Sequence, residues 1–94
     1  MADRFTADAT ITPLAYWQLA TVSSAIGVPG GGGRVALIQA LGANVRWRDD
    51  GTDPTTTVGM RLHAGETMFY TGDLKTIKFI EETAGAEVNI SVYQ

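Results

Sequence analysis

Asn44-Val45-Arg46-Trp47-Arg48-Asp49-Asp50-Gly51-Thr52-Asp53-Pro54 is the stretch whose reading decides the fold. Its first half alternates with a period of two. Val45 and Trp47 fall on one side, Arg46 and Arg48 on the other, which is the signature of a strand with one face buried. The second half is built almost wholly from Asp, Gly, Thr and Pro. These residues bond their own backbone, supply positive φ or fix φ, and so turn the chain.

Working outward, the same two-residue alternation recurs. Residues 35–41 are apolar on both sides and predict a central strand buried on both faces. Gly42-Ala43 forms a tight turn between that strand and the next. Met60 and Leu62 flank Arg61, residues 67–70 are short and aromatic, and Ile77 and Phe79 alternate with Lys78 and Ile80. At the end Val88, Ile90 and Val92 alternate with Glu87, Asn89, Ser91 and Tyr93. Upstream, residues 16–22 read as a strand with two useful faces. Residues 23–33 read as a loop, because Pro29 and the run from Gly30 to Gly33 sustain neither ladder nor helix. Residues 5–11, followed by Pro13, read as an extended arm or edge strand.

Helical spacing competes only over residues 73–83, and the β-branched Thr76, Ile77 and Ile80 favour strand there. About eight strands spaced ~10 residues apart predict an all-β, antiparallel two-sheet sandwich. A jelly roll is the first expectation and a Greek-key sandwich with fewer strands the nearest alternative. Residues 1–12 are expected to be an extended N-terminal arm and residues 13–94 a single sandwich domain. The expected core comprises Leu37, Ile38, Val45, Trp47, Leu62, Phe79, Val88, Ile90 and Val92.

Composition bounds the chemistry. A chain of 94 residues has room for one modest core, so a partner subunit would be physically welcome. Without cysteine there is no disulfide framework, thiol nucleophile or thiolate-ligated zinc. A net charge of −3 with no basic cluster argues against nucleic acid as a partner. The first residues are too polar for a signal peptide, and no apolar run approaches the ~20 residues of a membrane span. The expectation is a soluble protein made in a cytoplasm.

Three features invite a chemical reading and are weighed against plainer ones. Asp49, Asp50 and Asp53 could suggest a calcium loop, but they lack the alternating acidic spacing and the closing Glu; a turn is the plainer reading. His63 is the only histidine, which leaves a cupin-type metal site without its ligands. The run from Gly30 to Gly33 lacks the lysine and helix start of a phosphate loop. No catalytic residue, metal or cofactor is therefore expected.

The side chains singled out as candidate contacts are Phe5 and Ile11 in the arm, Trp17, and the pair Arg46 and Arg48. Trp17 follows Tyr16, so one of the two must face outward. Arg46 and Arg48 lie about 7 Å apart along one face. They suit either a solvated face or bidentate pairing with carboxylates, including those of a neighbouring chain.

Several of these segments carry a resemblance. The block Val45-Arg46-Trp47-Arg48-Asp49-Asp50-Gly51 recurs with Val58-Gly59-Met60, Gly65-Glu66-Thr67, Tyr70-Thr71-Gly72-Asp73-Leu74 and the ending Gly85-Ala86-Glu87-Val88-Asn89-Ile90-Ser91-Val92-Tyr93. Together they resemble a group of small proteins encoded in tailed phages and prophages, from near Leu37 to the end of the chain. The resemblance implies a non-enzymatic structural protein of the virion. It points first to a capsid decoration (cement) protein on the capsid exterior, a homotrimer bridging major capsid protein subunits. A tail, neck or fibre-base component is the first alternative. A carbohydrate-binding module is the second, and it would show two or three exposed aromatics in a row beside Asp, Asn or Gln.

Overall fold

The computed structural model describes residues 12–29 and 33–94. The candidate contacts Phe5 and Ile11, with most of the expected arm, lie outside them, as do Gly30, Gly31 and Gly32. Eight strands follow in order: β1 (Pro13–Leu19), β2 (Ile26–Gly27), β3 (Val35–Leu41), β4 (Val45–Arg48), β5 (Met60–Leu62), β6 (Thr67–Thr71), β7 (Lys78–Glu81) and β8 (Glu87–Tyr93). There is no helix among the described residues.

The strands form two four-stranded antiparallel sheets, β1-β8-β3-β6 and β2-β7-β4-β5. Strand β1 pairs with β8, β2 with β7, β3 with β6 and β4 with β5. The chain thus runs as one long hairpin with its apex between β4 and β5. Rolling that hairpin sideways brings β8 against β3 and β7 against β4. This strand order is the jelly roll.

The apex is the Asp-Gly-Thr-Pro turn of the opening stretch. Its backbone is tied to side chains: Asp50 Oδ1 accepts from the Thr52 amide (3.3 Å) and Thr55 Oγ1 from the Val58 amide (3.0 Å). Gly59, at φ +142°, lies where an added Cβ would press on the Trp47 carbonyl and the Pro54 ring. At the far end of β3, Gly42 turns at φ +81° directly against the Gly85 carbonyl, leaving no room for a side chain.

Alternation along the strands builds the core. Ala36, Ile38 and Ala40 of β3 and Val88, Ile90 and Val92 of β8 point inward and are buried. From the facing sheet come Val45, Leu62 and Phe79, joined by Val22, Leu74 and Ile77 from the connections. Trp47 is half-buried and closes one open side of the sandwich, meeting Tyr70 of β6 edge to face at 6.2 Å.

Three expectations are corrected. Leu37 is not core: it lies on the outer face of the first sheet, half-buried, because nothing else among the described residues covers that face of β3. Pro13 starts β1 rather than interrupting a strand, since an edge position with a register shift beside it tolerates the missing N–H. The expected loop over residues 23–33 contains the short strand β2.

Candidate interaction faces

The two sheets turn very different faces outward. On the second sheet the outward residues include Arg46 and Arg48 of β4, Arg61 of β5 and Lys78 of β7. Register sets Arg46 opposite Arg61 and Arg48 opposite Lys78. Like charges directly opposite each other destabilise a sheet, and here carboxylates from the connections offset the repulsion. Glu82 Oε2 accepts from Arg46 Nε at 2.6 Å and from Arg61 Nε at 2.7 Å. Asp50 pairs with Arg48, and Asp53 accepts from Lys78 Nζ at 2.8 Å. The carboxylate partners of Arg46 and Arg48 therefore lie in the same chain.

These contacts set the charge states. Glu82 is held below the usual carboxylate range, chiefly by Arg61 and then by Arg46 and Asn44, against the opposing effect of burial. Asp50 is lowered in the same sense by Arg48. Asp49 takes a different role, accepting from the Tyr70 hydroxyl at 2.8 Å. Burial, assisted by that carboxylate, pushes the Tyr70 phenol up to about 12, so Tyr70 stays a protonated donor at neutral pH. The three aspartates of the apex thus serve three different partners. Among the described residues the His63 ring meets Glu66 of the same turn, at 3.1 Å, and Glu66 also accepts from the His63 amide. No group of three or more potential ligands that could hold a metal occurs among the described residues.

The first sheet presents a less charged outer face, with Glu87 of β8 at its margin, where Glu87 Oε1 accepts from Gln18 Nε2 at 3.4 Å. Cross-strand register lines up Tyr16, Ser91, Leu37 and Phe69 in one row over its outer face, and Gln18, Asn89, Gln39 and Thr67 in the next. None of these eight side chains is charged. Tyr16 is 62 % and Phe69 51 % exposed. The Tyr16 hydroxyl donates to Asn89 Oδ1 (2.9 Å), whose Nδ2 donates to Gln39 Oε1 (3.2 Å). A shallow groove of about 240 Å³ runs between the two rows. A second concavity, of about 400 Å³, lies beside the apex, walled by Trp47, Val58 and Met60 with the Arg48–Asp50 pair on its rim.

Of the expected contact residues, Trp17 lies opposite buried Ile90, on the inner side of β1, yet stays 38 % exposed at the sheet margin. The outward member of the aromatic pair is Tyr16. Sequence alternation allowed either facing, and only the register with β8 decides it.

The edges differ as the faces do. The second sheet ends in β2, of 2 residues, and β5, of 3 residues including Arg61. The first ends in β1, of 7 residues, and β6, of 5 residues, with no charge on either. No protein-family model, curated protein or solved structure matches this chain.

Proposed function

We propose that this protein is a non-enzymatic structural protein of a phage particle, a capsid decoration (cement) protein that assembles as a homo-oligomer and bridges major capsid protein subunits on the capsid exterior. The observation that carries the reading is the pair of long, uncharged edge strands, β1 and β6, on one sheet of a small sandwich. Natural sheets blunt such edges with charge, short strands or bulges unless something pairs with them. Here short strands and charge blunt both edges of the second sheet, whereas on the first the proline and register shift are confined to the start of β1, leaving residues 15–19 and the whole of β6 without such a device.

Strands β1 and β6 run in opposite directions within their sheet. Pairing β1 of one copy with β6 of the next keeps the antiparallel alternation, and such a head-to-tail contact closes into a ring, such as a trimer, when its rotation permits. The resemblance of the Val45–Gly51 block and its companion turns to phage virion proteins supports the same reading, and the turns it covers fix backbone rather than build a reactive site. Residues 1–11 supply the shell anchor in this account. Eleven residues can reach about 35 Å when extended, and repetition across a shell offsets the entropic cost of ordering each arm.

The test is retention on purified particles of the phage or prophage that encodes the chain. The full protein co-sediments with heads, and a variant lacking residues 1–11 folds but does not. Equal retention of the truncated protein would remove the arm as anchor. Retention on tails alone would replace the decoration reading with the tail one.

A further inference from the structure

We infer that the outer face of the first sheet is a binding site for a neutral glycan, laid across the groove between Tyr16, Leu37, Gln39, Thr67, Asn89 and Ser91. This goes beyond adhesion to the particle. In-plane pairing of the strand edges does not use the groove.

The argument is chemical. A pyranose presents a flat patch of C–H groups and a rim of hydroxyls, so its site needs an aromatic surface beside planar donors and acceptors and gains nothing from charge. The groove has that composition. Tyr16 supplies the aromatic surface at one end of it, beside the amides of Gln39 and Asn89 and the hydroxyls of Thr67 and Ser91, and no Asp, Glu, Lys or Arg lines the groove.

The amides are also pre-positioned. The chain Tyr16 Oη–Asn89–Gln39 fixes both planes from three different strands. It uses one amide hydrogen of Asn89 and the carbonyl of Gln39. By the inventory of donors, both hydrogens of the Gln39 amide and one of the Asn89 amide stay available to a ligand hydroxyl. At about 240 Å³ the groove is smaller than pockets that enclose drug-sized ligands. A chain of sugars would lie over it rather than enter it, with its length spanning several strands.

The opposite face differs in kind: Arg46, Arg48, Arg61 and Lys78 each take part in an ion pair, a charged surface from which a neutral sugar gains little. The apex concavity has an indole wall, but its charged rim groups are paired with each other and Trp47 is packed against Tyr70.

The experiment is an amide-resolved NMR titration of the full chain with neutral oligosaccharides, namely hexamers of α-1,4-glucose, β-1,4-glucose and N-acetylglucosamine. At least one is expected to shift the side-chain amide resonances of Gln39 and Asn89 and to bind with a Kd below about 1 mM. Gln39→Ala and Tyr16→Ala should each weaken it about tenfold, while Arg46→Ala on the opposite face leaves it unchanged. No binding by any of the three, or binding that ignores Gln39→Ala and Tyr16→Ala, overturns the proposal. Gln39 lies on the interior strand β3, so Gln39→Ala leaves both sheet edges intact. Its retention on particles therefore reads the decoration function separately from the glycan site.

Discussion

Glu82 holds two guanidinium groups with one oxygen, and this arrangement sets an acid-sensitive feature of the domain. Its carboxyl is lowered by Arg61 and Arg46 in the folded state, so the stabilisation is fully present above the ordinary glutamate value of about 4.3 and is lost as the pH falls through the lower folded value. Glu82→Gln should therefore melt earlier than the parent at pH 6, with the gap closing as the pH is taken well below 4. A gap that persists unchanged in acid would show that packing, not charge, was lost. The arginine face was legible in the sequence as Arg46 and Arg48 two residues apart. Their partners were not all so: Asp50 is near in sequence, but Glu82 lies 36 positions from Arg46, and only the roll of the sheets brings it there. The core was legible for the same local reason. Phe79 and its alternating neighbours point inward as their period requires, and Phe79→Ala should cost roughly 3–5 kcal/mol by chemical denaturation. Leu37 shows the limit. A strand apolar on both sides looks buried on both, and the period of two says nothing about whether a second layer covers the outer face.

At the scale of elements, turns were the most readable parts because their chemistry is local. Asp73 accepts from the Lys75 amide at 2.9 Å and Glu66 from the His63 amide at 2.9 Å, each within three residues. Gly42 adds a tertiary demand that its neighbours in sequence do not reveal, since its α-carbon faces the Gly85 carbonyl from a distant turn. Gly42→Ala should cost clearly more than about 1 kcal/mol, the sum of a positive-φ penalty and a backbone clash. Gly51→Ala, at φ +86° but facing open space, should show the conformational penalty alone. Equal losses in the two variants would mean that the Gly42 turn relaxes without strain. The edge strands carry the oligomer argument. Leu14→Lys on β1 with Thr71→Lys on β6 should shift sedimentation from an oligomer toward the monomer without changing the circular dichroism spectrum. An unchanged oligomer would move the subunit contact away from these edges.

For the whole molecule, the regular spacing of strands and turns was enough to call two antiparallel sheets, and the observed order β1-β8-β3-β6 over β2-β7-β4-β5 is the jelly-roll form of that expectation. Which side chains make up the outer face of the first sheet could not be called from alternation alone. It depends on register between β1 and β8, segments about 70 residues apart, as the Tyr16–Asn89 hydrogen bond records with its separation of 73. The resulting object has one face of ion-paired cations, one face of amides and aromatics with Glu87 at its margin, and two longer, uncharged edge strands on the sheet that bears the latter. The proposal that it decorates a capsid is tested most directly by cryo-electron microscopy of the particle whose genome encodes it. The account predicts jelly-roll density on the outside of the head, seated where major capsid subunits meet, with neighbouring copies joined through β1 and β6. Heads with no such density, or the same domain found only on the tail, would contradict it.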